Sequence, residues 1–370
     1  MGGRRHRIIS IVGTRPEAIK MAPVARALGT LETVDHRLVL TGQHEGLRRY
    51  FDLQEESIEE LDFDPRDLTQ RGLRRALQAL LCGDFRRQRI DLVLVQGDTT
   101  SAVAGACAAR DCGIPVGHVE AGLRSFDLRQ PHPEESHRIV IDGLADLLFA
   151  PTDAAAANLR RERRVSGRIW VTGNTGIDAL LQTRAGLDPR KPAREGERRL
   201  ILATCHRREN QGAPALAVCE ALKRLVRELP LRVAAPLHPN RHVRRAAERA
   251  LVGIDHVALM EPLGYAAMVG LMDESWLILS DSGGLQEEAP ALGRPMLVLR
   301  NVTERPEALA TGNIELVGTD PDRIVAAISA LIADAAKYAR MSRPAFPFGE
   351  GRAAERIADA IESWLAEERR

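Results

Sequence analysis

Short apolar runs alternate with amphipathic segments along almost the whole 370-residue chain. A short apolar run bounded by polar residues predicts a buried strand, and regular alternation with helical patterns predicts parallel strands joined by crossover helices. The predicted strands lie at residues 8–12, 38–40, 92–95, 116–119, 147–150, 200–203, 231–234, 256–259, 276–279, 296–299 and 314–317. Helices are predicted over residues 17–28, 101–110 and 351–368. The pattern therefore predicts an α/β fold with two Rossmann-like, doubly wound sheets.

One segment interrupts this alternation. Residues 184–199 read RAGLDPRKPAREGERR, and a stretch dominated by Pro, Gly and charge is typical of a linker. Because 370 residues exceed what one hydrophobic core usually holds, two domains are expected. We predict an N-terminal domain over residues 1–184, a linker over 185–198 and a C-terminal domain over 199–350. Ligands bind at the carboxyl ends of doubly wound sheets, so an active-site cleft is expected between the domains.

Charge balance and cysteine content argue against several classes of function. The formal net charge is +1, which disfavours a dedicated nucleic-acid binder or a polybasic membrane module. The five cysteines form no CxxC pair, so neither a disulfide framework nor a zinc ribbon is indicated. The first apolar run is too short for a signal peptide, and no run approaches the roughly 18 apolar residues of a membrane span. We expect a cytoplasmic protein that binds neither nucleic acid nor membrane.

Polar clusters follow the predicted strands of the first domain. Residues 13–20, GTRPEAIK, open a helix with glycine and proline, where backbone N–H groups together with Arg15 and Lys20 favour an anion. The alternative is an ordinary turn with solvated cations. Asp98, in the motif GDTT, either brings a carboxylate to the ligand site or simply caps the next helix.

The richest cluster covers residues 117–124, GHVEAGLR, and 131–138, PHPEESHR. Glu120 follows a strand and precedes a glycine turn, which is hard to explain as surface decoration, and several titratable groups gathered at one crevice make a catalytic candidate. Glu134 and Arg138 are four residues apart on one helix face, so they either pair with each other or serve the site. The histidine spacing fits no metal motif, and we expect no metal.

The second domain carries motifs suited to a nucleotide. His206 lies in the motif CHRREN after the first strand of this domain. Ser282, Gly283 and Gly284 join a strand to a helix and form a backbone nest for phosphate oxygens. Glu288, about one turn into that helix, is placed to reach a ribose hydroxyl, and Arg305 adds a cation from a loop.

Taken in order, the motifs resemble those of the non-hydrolysing UDP-N-acetylglucosamine 2-epimerases. The matching segments run from residue 8 to about residue 318 and are GTRPEAIKMAP, TGQH, GDTT, GHVEAGLRS, HPEESHR, CHRREN, DSGGLQEEAP and TERPEAL. The resemblance implies a GT-B fold, whose final helix, here residues 351–370, packs back on the first domain. It also implies a homodimer that needs no external cofactor and converts UDP-N-acetylglucosamine to UDP-N-acetylmannosamine. In that reaction UDP leaves and returns through a 2-acetamidoglucal intermediate.

The resemblance also assigns roles to individual residues. Those matched to catalytic groups are Asp98, Glu120, Glu134 and His206. Those matched to substrate-binding groups are Arg15, Lys20, Arg138, Ser282, Gly283, Gly284, Glu288 and Arg305.

The chain departs from the family pattern after Gln43 and His44. Many bacterial members continue with an Arg-Gln-Met run that touches a second, regulatory UDP-N-acetylglucosamine, whereas this chain has Glu45-Gly46-Leu47. We therefore expect Gln43 and His44 to be the remnant of an allosteric site.

Three other functions share part of this pattern. Hydrolysing epimerases release free UDP, but their first turn departs from the RPEAIK pattern of residues 15–20. A GT-B glycosyltransferase would share the fold and the nest, yet has less need of three acids in one domain. A non-catalytic nucleotide-sugar sensor gains nothing from several carboxylates beside a diphosphate.

Overall fold

Two parallel sheets, each with helices between its strands, make up the computed structural model of the chain. The structure describes residues 4–51, 54, 57–63, 68–129, 132–188, 196–238 and 240–367. The chain divides into two compact units, residues 1–179 with 348–370 (unit 1) and residues 180–347 (unit 2). The predicted linker lies partly outside the described residues, so its bounds stay a prediction.

Among the residues that the structure describes, the sheet of unit 1 has seven strands. These are β1 (His6–Val12), β2 (Val34–Leu40), β3 (Ile58–Glu60), β4 (Leu92–Gln96), β5 (Val116–Val119), β6 (Leu147–Ala150) and β7 (Arg168–Val171), in the order β3-β2-β1-β4-β5-β6-β7. Neighbouring strands run parallel, with β1 central between β2 and β4. The predicted strands of this half are confirmed, and β3 and β7 are additional.

The helices of unit 1 cover both faces of its sheet. They are α1 (Arg15–Gly29), α2 (Gln70–Phe85), α3 (Thr100–Asp111), α4 (Glu134–Leu144), α5 (Asp153–Arg161), α6 (Thr175–Ala185, which continues into unit 2) and α14 (Ala353–Glu367). Successive residues of a strand face opposite sides, so Ile9 and Ile11 join one core while Ile8 and Val12 join the other. Both faces are buried, which explains why these strands are apolar throughout rather than alternating.

The last helix belongs to the first unit. Ile357, Ile361 and Leu365 of α14 are buried in the same core as Val24 and Leu28 of α1. Each such side chain contributes roughly 1.5–3 kcal/mol by leaving water. Asp178 accepts hydrogen bonds from the first N–H groups of α14, at 3.2 and 2.8 Å. Apolar burial and a carboxylate at its N-terminus therefore fix α14 on unit 1.

The sheet of unit 2 has six strands in the described part of the chain. They are β8 (Arg199–Thr204), β9 (Leu231–Pro236), β10 (Val257–Met260), β11 (Leu277–Ser280), β12 (Met296–Val298) and β13 (Ile314–Leu316), in the order β10-β9-β8-β11-β12-β13. The helices are α7 (Ala213–Glu228), α8 (Arg241–Leu251), α9 (Tyr265–Glu274), α10 (Gly283–Ala291), α11 (Pro306–Ala310), α12 (Pro321–Ala333) and α13 (Ala335–Met341). The predicted strands of this half are also confirmed, and the fold is α/β with two Rossmann-like units.

The strand order fixes where ligands can bind in each unit. In unit 1 the order reverses between β1 and β4, and in unit 2 it reverses between β8 and β11. At such a switch point the loops at the carboxyl ends diverge and leave a crevice. The candidate residues therefore fall into one cluster per unit, beyond these strand ends. No helix in the described part of the chain is long and apolar enough to cross a membrane.

Candidate functional site

At the switch point of unit 1, an internal carboxylate occupies the start of α1. Oε2 of Glu17 accepts hydrogen bonds from the N–H groups of Gly13, at 2.9 Å, and Thr14, at 2.6 Å. Oε1 accepts from the hydroxyl of Thr99, at 2.5 Å. The prediction that the first N–H groups of this turn await an external anion is therefore wrong for Gly13 and Thr14, because Glu17 supplies that anion. Burial raises the pKa of Glu17 to about 7, although the hydrogen bonds from Thr99, Gly13 and Thr14 oppose the rise.

Glu120 and Lys20 form the second feature of this cluster. Nζ of Lys20, one turn into α1, is bonded to Oε2 of Glu120, and Nε2 of Gln96 donates to the same oxygen at 2.9 Å. Glu120 directly follows β5 and has a φ of +70°, a backbone conformation that costs energy for any residue except glycine. Residues held in such conformations cluster at functional sites. The structure thus brings together two predicted site residues that lie 100 positions apart.

Asp98 and Arg138 form a second ion pair. The guanidinium of Arg138 contacts Oδ2 of Asp98 through Nε at 2.8 Å and through a terminal nitrogen at 2.7 Å. Asp98 does not cap α3, because Thr99 is the N-cap residue and accepts from the N–H of Ala102. The capping alternative for Asp98 is therefore wrong. His137 fixes the same turn, since its Nδ1 lies 2.8 Å from the carbonyl oxygen of Asp98.

The possible pairing of Glu134 with Arg138 is also wrong. Arg138 turns instead toward Asp98 and toward Glu135, whose Oε2 lies 3.3 Å from the guanidinium. Oε2 of Glu134 is buried and has no hydrogen-bond partner in the described part of the chain. A buried carboxylate oxygen without a donor costs folding free energy, and such exceptions often mark functional groups.

A buried ionic network lies behind these residues, and the sequence did not predict it. Nδ1 of His118 is 2.5 Å from Asp142, and its Nε2 is 2.8 Å from the carbonyl oxygen of Gly97. Since both neighbours are acceptors, both ring nitrogens donate and His118 is an imidazolium. Asp142 also binds Arg124 at 2.7 Å and the N–H of Gly122 at 3.2 Å. Burial alone would raise the pKa of Asp142, but the positive His118 and Arg124 outweigh it and hold that pKa below its usual range.

Gln43 and His44 both form hydrogen bonds with neighbouring segments. Gln43 bonds to α3, and His44 bonds to the turn between β1 and α1. Oε1 of Gln43 accepts from the hydroxyl of Ser101 at 2.7 Å. The N–H of His44 donates to the carbonyl of Gly13 at 2.9 Å, and its Nδ1 accepts from the N–H of Arg15 at 3.3 Å. Burial lowers the pKa of His44. Arg15 is thereby positioned at the first turn of α1.

A cavity of about 490 Å³ adjoins this segment. Its lining includes Gln43 and His44 together with Glu45, Glu60 and Asp62. Three carboxylates in one lining make the cavity unfavourable for a diphosphate, because like charges repel.

At the switch point of unit 2, Asp281 organises the loop that carries His206. The carboxylate of Asp281 accepts from the N–H groups of His206, at 3.0 Å, and Arg207, at 2.9 Å, and from Nδ2 of Asn210 at 2.9 Å. The ring of His206 packs edge-on against that of His238, with centroids 5.1 Å apart. Burial, with a smaller contribution from His238, lowers the pKa of His206 even though Asp281 opposes the change. His206 is therefore a neutral imidazole at physiological pH.

The start of α10 is the phosphate-binding candidate of unit 2. Ser282 is its N-cap residue and accepts from the N–H of Leu285 at 3.4 Å. Gly283 and Gly284 form the first turn, and a side chain at Gly283 would lie 2.9 Å from Cζ of Arg305. Arg305 is held there by Glu287, at 2.8 Å. The positive end of a helix, an uncharged first turn and a guanidinium thus coincide at one point.

Glu288 lies farther along α10 than this turn. Its Oε1 accepts from the hydroxyl of Tyr265 at 3.1 Å, so Tyr265 orients the carboxylate. Reach to a ribose hydroxyl stays a prediction. No group of three or more His, Cys, Asp or Glu side chains that could hold a metal occurs among the residues the structure describes.

The chain is similar to known proteins over nearly its whole length. A family model for UDP-N-acetylglucosamine 2-epimerase matches residues 26–362. The UDP-N-acetylglucosamine 2-epimerase of Escherichia coli K12 is 39% identical over 374 residues, which cover 96% of this chain and 98% of that protein.

Two solved structures are similar over nearly their whole length. The UDP-GlcNAc 2-epimerase of Neisseria meningitidis bound to UDP-GlcNAc has a TM-score of 0.88 and 36% identity, covering 96% of this chain and 100% of that one. The Staphylococcus aureus MnaA complex with UDP has a TM-score of 0.88 and 38% identity, covering 98% and 97%.

Proposed function

Because this chain belongs to the UDP-N-acetylglucosamine 2-epimerase family, we propose that it interconverts UDP-N-acetylglucosamine and UDP-N-acetylmannosamine by eliminating UDP and adding it back. The observation that carries the proposal is the carboxylate cluster of unit 1. There Glu120 is bonded to a lysine, Asp98 to an arginine, and Glu134 has a buried oxygen without a donor.

The chemistry requires these groups because the proton on C2 of the sugar is not acidic. In the elimination the C2–H and C1–O bonds break, a C1=C2 double bond forms, the proton passes to a carboxylate and the electron pair of C1–O leaves with UDP. Return of UDP to C1 and of a proton to the opposite face of C2 gives the epimer. Acid–base groups placed on both faces typically contribute two to four powers of ten in rate.

We assign the carboxylates by their surroundings. Glu134 is the acceptor for one proton, because its Oε2 has no donor in the described part of the chain. Glu120 handles the proton on the other face, where its Oε2 is bonded to Lys20 and Gln96. Asp98, bonded to Arg138, orients the sugar beside them.

Unit 2 supplies the site for the leaving diphosphate. Negative charge develops on UDP as C1–O breaks, and fixed positive groups stabilise such charge without reorganising. The N-terminus of α10 and Arg305 provide this environment, while neutral His206 donates a hydrogen bond. Glu288 accepts from a ribose hydroxyl.

The decisive test is incubation of the purified protein with UDP-N-acetylglucosamine in D2O, followed by proton NMR of the nucleotide-sugars. A second nucleotide-sugar with deuterium at C2 is expected. Release of UDP with free N-acetylmannosamine would instead identify a hydrolysing epimerase, and unchanged substrate would refute epimerisation.

Variants test the roles within the same assay. Glu120→Gln and Glu134→Gln should each lower kcat by roughly two to four powers of ten while UDP binding persists. Glu362→Gln, on the exposed face of α14, is the matched control and should leave kcat unchanged. Loss of UDP affinity with kcat retained would show that these carboxylates bind rather than catalyse.

We further propose that the enzyme works in the cytoplasm as a homodimer and supplies a precursor for polysaccharide synthesis. The resemblance of its motifs to the family supports these assignments. Light scattering of the purified protein tests the homodimer, and a mass of about 81 kDa, twice the 40.6 kDa of one chain, is expected.

A further inference from the structure

Glu17 is a buried, titratable residue to which the reaction above gives no task. It lies in the first turn of α1 and is 1% exposed. Its two oxygens accept three hydrogen bonds, from the N–H groups of Gly13 and Thr14 and from the hydroxyl of Thr99. The Gly13–Thr14 turn follows β1 and Thr99 follows β4, so one side chain bridges the two strands at which the sheet order reverses.

This bridge exceeds what helix capping requires. A glutamate at the third helical position often bonds the N-cap N–H, which satisfies one donor of its own helix. Glu17 does this at Thr14 but also reaches Thr99, which lies 82 residues away and caps α3. The bond to Thr99 therefore fixes two helix starts relative to each other.

Both ends of the bridge adjoin candidate site residues. Thr14 is followed by Arg15, and Thr99 is preceded by Asp98. A shift of either turn would move these side chains by a similar distance, and displacements near 1 Å in an active site can cost about a hundredfold in rate. We propose that Glu17 is a positioning residue of the epimerisation, which holds Arg15 and Asp98 in register by tying the turn after β1 to the turn after β4. This inference rests on the proposed function.

The bridge can exist in two protonation states. Ionised Glu17 accepts from Thr99, whereas protonated Glu17 can donate to the Thr99 hydroxyl oxygen while still accepting from both N–H groups. Burial places the pKa of Glu17 at about 7, so both states occur near neutrality. Charged and titratable groups on the elements around it are Arg15 and Lys20 on α1, His44 after β2, Asp98 after β4 and Glu120 after β5.

Glutamine reproduces the protonated state. Its carbonyl oxygen can accept from Gly13 and Thr14, and its amide can donate to Thr99. In Glu17→Gln the bridge should persist, with kcat within about threefold of wild type at every pH from about 6 to 8. In Glu17→Asp the side chain is one carbon too short to reach Thr99, so kcat should fall by about ten- to a hundredfold with KM changed by less than about threefold.

Asp178 provides a control for a purely structural loss. It is also a buried carboxylate that accepts from two successive N–H groups, but at the start of α14. Asp178→Asn should lower the melting temperature without changing kcat by more than about twofold. Thr99→Val, which removes the hydroxyl, should behave like Glu17→Asp, and Thr99→Ser should restore kcat.

Two results would each overturn the proposal. They are a folded Glu17→Asp with wild-type kcat, and a loss of kcat in Asp178→Asn as large as that in Glu17→Asp. If Glu17→Asp does not fold, the comparison of Thr99→Val with Thr99→Ser tests the proposal instead. Equal kcat values in these two variants would show that the hydrogen bond between Glu17 and Thr99 does not affect the reaction.

A second measurement separates this inference from the proposed function. If the wild-type protein puts no deuterium on C2, epimerisation fails as the function, and hydrogen exchange then decides on the bridge. Peptides covering residues 12–16 and 97–103 should exchange about tenfold faster in Glu17→Asp than in wild type or Asp178→Asn. Unchanged exchange in both peptides would refute the bridge itself.

Discussion

The carboxylate of Asp142 is the position in unit 1 where removal of a single charge should be most damaging. It is 0% exposed and bonded to the imidazolium of His118 and the guanidinium of Arg124. Asp142→Asn keeps the size but removes the charge, so two buried cations lose a shared partner. Breaking a buried ion pair from one side costs about 3–5 kcal/mol, a large part of the 5–15 kcal/mol that stabilises a typical domain.

Hydrogen exchange of β5 (Val116–Val119) measures this cost within unit 1 alone. A loss of about 3–5 kcal/mol corresponds to exchange roughly a hundred- to several-thousandfold faster where exchange requires opening of the sheet. The matched control is Asp146→Asn, which removes a carboxylate bonded to the N–H of Val116 but 38% exposed at its side chain. The control should cost less than about 1 kcal/mol.

The pH dependence of stability independently checks whether the ionised Asp142 stabilises the folded chain. The pKa of Asp142 is lower in the folded chain than its ordinary value of 3.8, so the carboxylate contributes stability above that value and loses it as pH falls through the folded pKa. The difference between wild type and Asp142→Asn should therefore be complete at about pH 7 and shrink below about pH 4. Exchange within about fivefold of wild type at neutral pH would refute the network as a source of stability.

Three further perturbations test local features. Phe126 is 78% exposed and has a φ of +60°, so Phe126→Gly relieves strain without loss of packing and should raise the melting temperature by about 1–3 °C; a lower value would refute the strain. Gly283→Ala places a Cβ 2.9 Å from Cζ of Arg305 and should weaken UDP binding roughly tenfold by calorimetry. The control is Gly264→Ala, also in unit 2, where the added Cβ meets open space and UDP affinity should equal that of wild type. Equal UDP affinities of Gly283→Ala and Gly264→Ala would show that Arg305 does not contribute to UDP binding. Starting from pure UDP-N-acetylmannosamine, the reverse reaction should show no lag and hyperbolic rates, because Glu45 makes the adjoining cavity repel a diphosphate; a requirement for added UDP-N-acetylglucosamine would show that the regulatory site persists.

The central strands could be predicted from sequence because both of their faces are buried. Such strands are continuously apolar, and polar motifs follow them where the chain leaves the core. The edge strands β3 and β7 were missed for the converse reason. β3 is Ile-Glu-Glu with two exposed residues, and β7 has no fully buried residue, so neither carries an apolar run.

Partners within the candidate site could not be predicted from spacing. Glu134 and Arg138 share a helix face, which favours a local pair, yet Arg138 binds Asp98, 40 residues away, and Glu135. An exposed ion pair within one helix stabilises by only tenths of a kcal/mol. A side chain such as Arg138 therefore pairs with a buried partner from another element whenever the fold supplies one. The His118–Asp142 bond could not be predicted from the sequence for the same reason, because no residue near Asp142 in the chain indicates that it is buried.

The two units share one electrostatic arrangement at their switch points. In unit 1 Glu17 accepts from the turn after β1 and from Thr99 after β4, and in unit 2 Asp281, after β11, accepts from the loop after β8. In each case an internal carboxylate takes the N–H groups that phosphate binds in many α/β proteins. We therefore expect a substrate diphosphate to bind side-chain cations and the start of α10 rather than those N–H groups, since α10 begins with the neutral N-cap Ser282 and two glycines. Because internal hydrogen bonds already hold these loops, we expect little reorganisation on binding, so binding energy is available for charge that develops only as UDP departs.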